Sequence, residues 1–316
     1  MENSPLVSVI IPALNEEKRI GKCLESLRNL NFNKDNIEIL VVDNGSQDKT
    51  IEIAGSFGAK VYVIKHGPIS KLRNYGASMA KGKFYAFVDA DCVVSKDWIK
   101  NALLELDNKD VGATGSNYLS AEKGNWVEEA WEFNKMTVDD RCEVDWIQSG
   151  NLIIKKYVFD AVAGFDENLV VSEDSDICYR IRDLNYKIIS NTDIKNYHLG
   201  FSRDIKSFFR KELWHGKGTV RVFKKHLSKK RYFKVMGLAI FFAVCLIGFF
   251  IGVLFLNFKL AISTIGVILA FSLLLSLKMS LKKKSFKYFF QLSVLYLIFG
   301  ITRAISVLNL RNWSKK

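Results

Sequence analysis

The strongest constraint on the fold is an uncharged apolar segment from Val235 to Leu256 in a chain of 316 residues. An α-helix rises about 1.5 Å per residue, so this segment would reach about 33 Å, enough to cross a hydrocarbon core of about 30 Å. Two more apolar segments follow at residues 260–277 and 288–308. Because no acidic residue interrupts any of the three, we predict a transmembrane region over residues 235–316 rather than buried helices of a soluble core.

Basic residues flank the first two segments. They are Lys224, Lys225, Lys229, Lys230, Arg231 and Lys234 before the first segment, and Lys278, Lys282, Lys283, Lys284 and Lys287 after the second. Lys and Arg concentrate on the cytoplasmic side of membranes, so both flanks are expected in the cytosol. A third crossing would export Arg311, Lys315 and Lys316, against this rule. We nevertheless predict a third span over residues 288–308, in which Arg303 snorkels or faces the helix bundle; the alternative is that residues 286–310 form an amphipathic interfacial helix.

The charge is distributed unevenly. Residues 1–199 carry 24 basic and 31 acidic side chains, residues 200–234 carry 12 and 2, and residues 235–316 carry 10 and 0. The excess positive charge lies beside the apolar segments, where anionic lipid headgroups of the bilayer are the expected partner. The net charge of −7 on the body argues against a nucleic-acid partner. We predict a basic amphipathic interfacial linker over residues 201–234, with a solvated linker helix as the alternative.

The N-terminal sequence MENSPLVSVIIPALNEE lacks the basic-then-apolar pattern of a signal peptide. The five cysteines form no C-x-x-C pair and no metal-binding spacing, which is typical of reduced cytosolic thiols. We therefore expect a multi-pass protein of the cell membrane whose body, residues 1–200, is cytoplasmic.

Residues 1–200 alternate β-rich runs with amphipathic helical patterns. The β-rich runs are Leu6 to Ile11, Ile37 to Val42, Lys60 to Ile64, Phe84 to Val88 and Val111 to Gly115, and the helical patterns lie at about Glu17 to Leu30, Lys49 to Phe57, Leu72 to Ala80 and Lys96 to Leu106. This alternation predicts an α/β domain with parallel strands and helices on both faces. Such sheets bind ligands at the carboxyl ends of their strands, where polar residues follow three of these runs, at 12–16, 43–46 and 89–91.

The pair Asp89 and Asp91 follows the apolar run FYAFV. Two carboxylates so close raise each other's pKa unless a cation lies between them. Mg²⁺ or Mn²⁺ suits oxygen ligands and leaves positions open for phosphate oxygens, so the pair predicts a divalent-metal site, with a solvated turn as the alternative. For Asp43, the alternative is a turn in which Ser46 or Asp48 caps the next helix.

Taken together, several segments resemble family 2 of the glycosyltransferases. They are VSVIIPALNEE, ILVVDNGSQDKT, LRNYGASMAKGKFYAFVDADC, IQSGNLIIKK, GFDENL, SEDSDICYR and YHLG, and they follow the family's order from about Ser4 to Gly200. The resemblance implies a GT-A fold, a Rossmann-like nucleotide-diphospho-sugar transferase domain, over residues 1–200. It also implies a nucleotide-diphosphate sugar donor and Mn²⁺ or Mg²⁺ as cofactor.

The resemblance implies roles for individual residues. The implied donor-binding residues are Pro12, Asn15, Glu16, Asp43, Arg73 and Asp89; the implied metal ligands are Asp89, Asp91 and His198; the sugar and acceptor site would comprise Trp146, Gln148, Gly150, Asn151 and Glu173; and Asp174 would be the general base. For His198 the alternative is a structural histidine.

Asp174 opens a helical pattern in SEDSDICYRIRDL. A carboxylate at a helix start is stabilised in its ionised form, as a base requires, although such residues also serve as plain helix caps. Asp176 and Arg180 are spaced for an ion pair on the helix surface.

These roles predict a membrane-bound inverting glycosyltransferase that moves a sugar, expected from a UDP-sugar, to a hydroxyl of a lipid-linked saccharide or glycolipid in cell-envelope glycan synthesis. One alternative is a polyprenyl-phosphate glycosyltransferase, whose ionised acceptor needs no general base. Another is a non-catalytic, membrane-tethered nucleotide-sugar binder. Processive synthases of the family carry Q-x-x-R-W, whereas FFRKELWHGKG has Leu213 where Arg is expected. Transfer of one sugar, or very few, is therefore expected.

Overall fold

The computed structural model describes residues 5–120, 124–134, 140–200, 204–227 and 230–309. The chain divides into two compact units: Met1–Glu122 with Thr137–Gly200, and Lys123–Met136 with Phe201–Lys316. The short segment near residue 130 thus belongs to the same unit as the C-terminal helices, although it interrupts the sequence of the first unit. The predicted positive tail at Arg311, Lys315 and Lys316 lies outside the described residues.

The helices and strands follow one another along the chain as β1 Val7–Ala13, α1 Ile20–Arg28, a 3₁₀ turn Lys34–Asn36, β2 Ile37–Asp43, α2 Thr50–Ser56, β3 Lys60–Val63, α3 Ile69–Met79, β4 Phe84–Val88, β5 Cys92–Val94, α4 Trp98–Leu106, β6 Val111–Gly115, β7 Leu119–Ser120, α5 Trp126–Asn134, β8 Arg141–Glu143, β9 Asn151–Lys155, α6 Lys156–Ala161, α7 Glu173–Asp183, β10 Lys187–Asn191, β11 Asn196–His198, α8 Ile205–Gly216, α9 Thr219–Lys225, α10 Lys230–Leu254, α11 Phe258–Lys282 and α12 Phe289–Leu308.

An eight-stranded sheet in the order β3-β2-β1-β4-β9-β6-β10-β8 forms the centre of the first unit. Strands β1 to β4 are parallel where they pair, as predicted. Strand β9 lies antiparallel between β4 and β6, so the sheet is mixed rather than purely parallel. A second sheet, β5-β11-β7, brings β11 next to the segment that follows β4.

Side chains alternate between the two faces of the sheet. Val9 and Ile11 of β1 belong to one buried apolar cluster, together with residues of α1 and α4. Ile10 belongs to the other cluster, with Phe87 of β4 and residues of α6 and α7. The period of two along the strands therefore builds two core layers, which hold the strand ends in fixed positions.

The predicted parallel strands and the helices between them are confirmed, with boundaries that differ by a few residues. The fold is a mixed α/β domain followed by long apolar helices. The prediction missed β9 because its sequence NLIIK is a plain apolar run, and strand direction depends on pairing partners distant in sequence.

The second unit contains three helices long and apolar enough to cross a membrane, at Tyr232–Leu254, Phe258–Lys282 and Phe289–Leu308. They correspond to the three predicted apolar segments. The predicted linker forms two short helices, α8 and α9, and its residues 201–203, 228 and 229 lie outside the described part of the chain.

Helix α12 packs on the shorter helices α5 and α8 as well as on α10 and α11. Phe208 of α8 and Val127 of α5 share a buried cluster with Leu292 and Leu295 of α12. Near the end of α12, Nη2 of Arg303 donates to Oε2 of Glu212 in α8 at 2.7 Å, and both side chains are almost completely buried. Arg303 thus faces the bundle, one of the two orientations predicted for it.

Candidate active site

The loops after β1 and β2 are tied together at the carboxyl ends of their strands. The Asn15 N–H donates to Oγ of Ser46 at 2.8 Å, and the Gln47 N–H donates to Oδ1 of Asn15 at 2.9 Å. The Glu16 N–H donates to Oγ1 of Thr50 at 2.7 Å. Asn15 has a positive φ of 54°, which an asparagine tolerates better than most residues. Asn15 and Glu16 therefore sit in a fixed double loop.

Asp43 is completely buried at the end of β2. Its Oδ1 accepts the N–H groups of Gly45 and Ser46 at 2.8 and 2.7 Å, and its Oδ2 accepts the Ser46 hydroxyl at 2.6 Å. Gly45 adopts the left-handed φ of 89° that this turn requires. The side chain of Asp43 thus shapes the turn after β2, while Pro12 lies within β1, paired with Val42.

Asp89, the residue after β4, has both carboxylate oxygens engaged. Nη2 of Arg73 donates to its Oδ1 at 2.7 Å, and the hydroxyl of Tyr118 donates to its Oδ2 at 2.8 Å. Burial by itself would raise the pKa of Asp89, but the guanidinium of Arg73 and the Tyr118 hydrogen bond hold that pKa below its usual value. Asp89 is therefore a fixed, ionised carboxylate.

Arg73 of α3 links Asp89 to a second carboxylate. Its Nη1 donates to Oε1 of Glu173 at 2.8 Å, while its side chain is only 1% exposed. Burial favours loss of its proton, but Asp89 and Glu173 more than offset this and raise the pKa of Arg73. Both terminal nitrogens are thus committed to carboxylates, and the guanidinium lies over the ring of Phe165 at 5.6 Å. Arg73 is a buried bridge rather than an exposed contact for a ligand.

Helix α7 begins at Glu173, whose Oε1 also accepts the Ser149 hydroxyl at 3.4 Å. Asp174 is the next residue and is half-buried, in contrast to the buried Glu173. The helix start stabilises negative charge here. The predicted pair of Asp176 and Arg180 forms at 2.7 Å, but Asp176 is completely buried, so the pair is internal and not on the helix surface.

Asp91, the second aspartate of the pair, lies near two basic side chains that differ from the partners of Asp89. Its Oδ2 lies 3.6 Å from Nε2 of His198 and 3.7 Å from Nη1 of Arg19. Nε of Arg19 in turn donates to Oε2 of Glu16 at 2.7 Å. Burial raises the pKa of Glu16, with Arg19 opposing and Asp91 reinforcing this rise. The aspartate pair is thereby connected to the loop after β1.

Asp91 is the carboxylate that fits a divalent cation, because Asp89 already accepts from Arg73 and Tyr118. Asp91, Cys92 and His198 place ligand atoms within 4.8 Å of one another. The Gly200 N–H donates to Nδ1 of His198 at 3.0 Å, which leaves the proton on Nε2. Nε2 could bind a metal only with the proton on Nδ1, and His198 would then lose its hydrogen bond from the Gly200 N–H. Burial raises the pKa of the Cys92 thiol well above its usual value, so Cys92 is a poor ligand.

Two glycines allow the carboxylates to pack closely. A Cβ at Gly150 would lie 2.1 Å from the Tyr118 hydroxyl oxygen and 2.3 Å from Oδ2 of Asp89. A Cβ at Gly200 would lie 2.3 Å from Oδ2 of Asp91. Neither site leaves room for a larger residue.

The remaining predicted residues surround this centre at different depths. Oε1 of Gln148 accepts the Tyr118 N–H at 3.3 Å, and Trp146 packs partly buried against the core. The Asn151 side chain is completely buried and bonds to the indole N–H of Trp98 at 2.7 Å and to Ser116. Asn151 therefore supports the site from within the core rather than lining its surface.

Tyr118, Arg19 and Gly200 contact the aspartate pair but were missed from the sequence. Tyr118 lies in a segment, SNYLS, without a recognisable motif, and only β7 and the second sheet bring it to Asp89. Gly200 could have been found, because it ends the YHLG segment already singled out.

An α/β sheet with acidic residues at the carboxyl ends of its parallel strands is typical of nucleotide-binding enzymes. Residues 8–162 match the model of the Glycosyl transferase family 2. Residues 8–162 thus carry a Glycosyl transferase family 2 domain, which indicates a glycosyltransferase.

Known proteins support this assignment. Glycosyltransferase AglE of Haloferax volcanii is 28% identical over 240 residues, which is 72% of this chain and 78% of AglE. A glycosyltransferase of Rickettsia typhi is 30% identical over 188 residues, covering 56% of this chain and 58% of that protein.

Solved structures share the fold. The mannosyltransferase PcManGT from Pyrobaculum calidifontis, in complex with GDP-Man and Mn²⁺, has a TM-score of 0.64 at 18% identity, with 97% of this chain and 88% of that chain covered. Residues 1–349 of S. aureus TarS, in complex with UDP, give 0.51 at 23% identity, with 68% and 65% covered. This chain covers 40% of the longer TarS structure.

Proposed function

We propose that the chain is a membrane-bound, inverting glycosyltransferase that moves a sugar from a nucleotide-diphosphate sugar to a hydroxyl of a lipid-linked saccharide or glycolipid. The observation that carries the proposal is the chain of two ion pairs from Asp89 through Arg73 to Glu173, with distances of 2.7 and 2.8 Å. These contacts bring the aspartate pair after β4 and the start of α7 into one site.

The donor would bind at the double loop after β1 and β2. Asn15 and Glu16 are held there by Ser46 and Thr50, and Asp43 fixes the turn after β2 that contains Ser46. PcManGT in complex with GDP-Man and TarS in complex with UDP or UDP-GlcNAc support a nucleotide-diphosphate sugar as donor. We take a UDP-sugar as the first candidate.

A divalent cation, Mn²⁺ or Mg²⁺, would supply positive charge that stabilises the departing diphosphate. Asp91 would hold it, while Asp89 stays fixed by Arg73 and Tyr118. Arg19 and His198 lie within 4 Å of Asp91 and would keep its carboxylate directed into the site.

Asp174 would accept the proton of the acceptor hydroxyl. Its position in the first turn of α7 stabilises the ionised form that a base requires. A hydroxyl activated in this way attacks the anomeric carbon opposite the diphosphate, so one displacement inverts the configuration. General-base assistance of this kind is worth about 10²- to 10⁴-fold in rate.

Thermal-shift measurements with UDP-, GDP- and dTDP-sugars in the presence of Mn²⁺ test this proposal. A ligand that binds only the folded state raises the unfolding temperature. We expect one donor class to raise the unfolding temperature and EDTA to remove this shift. In Asp91→Asn, the same shift should require at least a tenfold higher donor concentration. Absence of a shift with every donor, or a shift that EDTA and Asp91→Asn leave unchanged, would contradict the proposal.

A further inference from the structure

Arg73 occupies the centre of the proposed site without reaching its surface. It donates one hydrogen bond to each of two carboxylates that come from different elements, Asp89 after β4 and Glu173 in α7. Its Nε, also buried, has no hydrogen-bond partner among the residues that the structure describes. An arginine normally uses its planar fork to hold one carboxylate with two parallel bonds. Here the fork is divided between two partners.

Two further contacts keep the fork divided. The Tyr118 hydroxyl holds Oδ2 of Asp89, so this carboxylate presents only Oδ1 to Arg73. Glu173 engages Nη1, so the guanidinium cannot turn fully towards Asp89. Gly150 leaves space for the Tyr118 and Asp89 contact, because any Cβ there would lie within 2.3 Å of both.

We propose that Arg73, held between Tyr118-bound Asp89 and Glu173, is a positioning residue that couples the donor side of the site to the base-bearing start of α7. This inference rests on the proposed function. The direction of Asp89, and with it that of the neighbouring Asp91, then depends on whether Glu173 is in place. Conversely, donor binding that moves Asp89 changes the support of Asp174.

The coupling has a definite physical form. If Tyr118 and Glu173 both release their hold, Arg73 and Asp89 are free to close into a two-bond pair and rotate the Asp89 carboxylate away from its native direction. Removal of either restraint alone leaves the other to oppose this rotation. Loss of the Tyr118 hydrogen bond and loss of the Glu173 ion pair should therefore reinforce each other's effect on the direction of Asp89. No direct contact between Tyr118 and Glu173 is needed for this. A lysine at position 73 has no fork and cannot form the two-bond pair.

A double-mutant cycle measures this coupling. The affinity of the purified, detergent-solubilised full chain for UDP and for GDP with Mn²⁺ is determined calorimetrically for wild type, Tyr118→Phe, Glu173→Gln and the double variant. We expect the double variant to bind at least fivefold more weakly than the product of the single effects predicts, because coupled neighbours deviate from additivity. In an Arg73→Lys background, the same effects should multiply to within about twofold.

Kinetics separate positioning from a general structural role. Glu173→Gln should lower kcat at saturating donor by tenfold or more while it changes the donor KM by less than threefold. Tyr118→Phe should act mainly on the donor KM. Equal changes in both parameters for both variants, with unfolding temperatures lowered in parallel, would indicate a purely structural role and overturn the inference.

Matched controls lie away from the site in the same unit. Tyr157→Phe removes the hydroxyl of a side chain on a residue that is 54% exposed, and Glu143→Gln breaks a 3.5 Å ion pair with Arg182. Both should leave affinity and kcat unchanged. If Glu173→Gln does not fold, Glu173→Asp, which shortens the arm but keeps the charge, takes its place with the same expected deviation.

The outcomes distinguish the two levels of the proposal. If the effects of Tyr118→Phe and Glu173→Gln on nucleotide affinity multiply to within twofold in the chain that keeps Arg73, the coupling is overturned while the glycosyltransferase assignment stands. A wild-type chain that binds neither nucleotide with Mn²⁺ nor any nucleotide-diphosphate sugar would overturn the proposed function and the coupling with it.

Discussion

At the scale of single residues, the proposed reaction depends most directly on Asp174. Replacement by Asn keeps the size and removes the basic oxygen, so we expect turnover to fall at least 10²-fold. Donor affinity, measured by calorimetry with Mn²⁺, should change by less than threefold. A variant that keeps more than a few per cent of wild-type turnover would show that another group accepts the proton.

Gly150 provides a second test at this scale. Gly150→Ala would place a Cβ at 2.1 Å from the Tyr118 hydroxyl oxygen and 2.3 Å from Oδ2 of Asp89, so the Asp89 contact must break. Overpacking of this kind costs about 1–3 kcal/mol in the free energy of unfolding, and we expect nucleotide affinity to fall tenfold or more. Gly55→Ala in α2 is the control, since a Cβ there meets no atom within 4 Å. Similar affinities for both variants would contradict the importance of this close approach.

Sequence patterns predicted the residues whose side chains follow strand ends, but not how deep each side chain lies. Arg73 was expected to contact the donor, yet the core around α3 buries it. Asn151 was expected at the sugar, yet its amide is used by Trp98, Ser116 and the Ile194 carbonyl. Burial depends on which elements pack over a residue, and a motif alone does not contain that information.

At the scale of elements, strands with alternating or continuous apolar runs were predictable because their residues are buried on one or both faces of a sheet. The insertion of β9 between β4 and β6 was not, because strand order is determined by contacts between distant segments. Tyr118 could not be predicted as a site residue for the same reason. It precedes β7, which has two residues, and β7 is positioned by its pairing with β11.

Helix α12 has a polar connection at its start, middle and end. The Tyr288 hydroxyl donates to Oε2 of Glu129 at 2.7 Å, the Tyr296 hydroxyl donates to Oδ1 of Asn134 at 2.5 Å, and Arg303 pairs with Glu212 at 2.7 Å. These partners belong to α5 and α8, whose acidic residues are costly to place in hydrocarbon. We therefore expect α12 to lie along the membrane interface, which is the alternative to the third span predicted from the sequence.

Labelling with a membrane-impermeant maleimide tests the course of α12. Ser314→Cys should react from the side on which the basic flanks lie, and Lys259→Cys, at the start of α11, should react from the opposite side. Labelling of both positions from the same side would instead indicate that α12 crosses the bilayer.

The buried pair of Arg303 and Glu212 should hold α8 on α12. Glu212→Gln leaves a buried guanidinium without its counter-ion, for which we expect a loss of about 3–5 kcal/mol in unfolding free energy. Replacing both residues by Met should cost less, because no charge is left unpaired. Denaturant unfolding in detergent compares the two variants, and a double variant less stable than Glu212→Gln would contradict this account.

At the scale of the whole molecule, a body with a net charge of −7 precedes a strongly basic, apolar C-terminal region. We expect truncation after Arg231 to leave nucleotide binding intact and to reduce transfer to acceptors in lipid vesicles at least tenfold, because the anchor is lost. Undiminished transfer by the truncated protein in detergent-free vesicles would contradict a role of these helices in acceptor access.

The central claim is that this chain transfers a sugar from a nucleotide diphosphate to an acceptor hydroxyl. The most direct test incubates the full chain, in membranes that contain lipid acceptors, with nucleotide-diphosphate sugars labelled in the sugar and with Mn²⁺, and follows label in the lipid fraction. Our account predicts incorporation with one donor class, accompanied by release of nucleoside diphosphate, and its loss with EDTA and in Asp174→Asn. Incorporation at the wild-type rate in Asp174→Asn, or none with any donor in wild type, would contradict it.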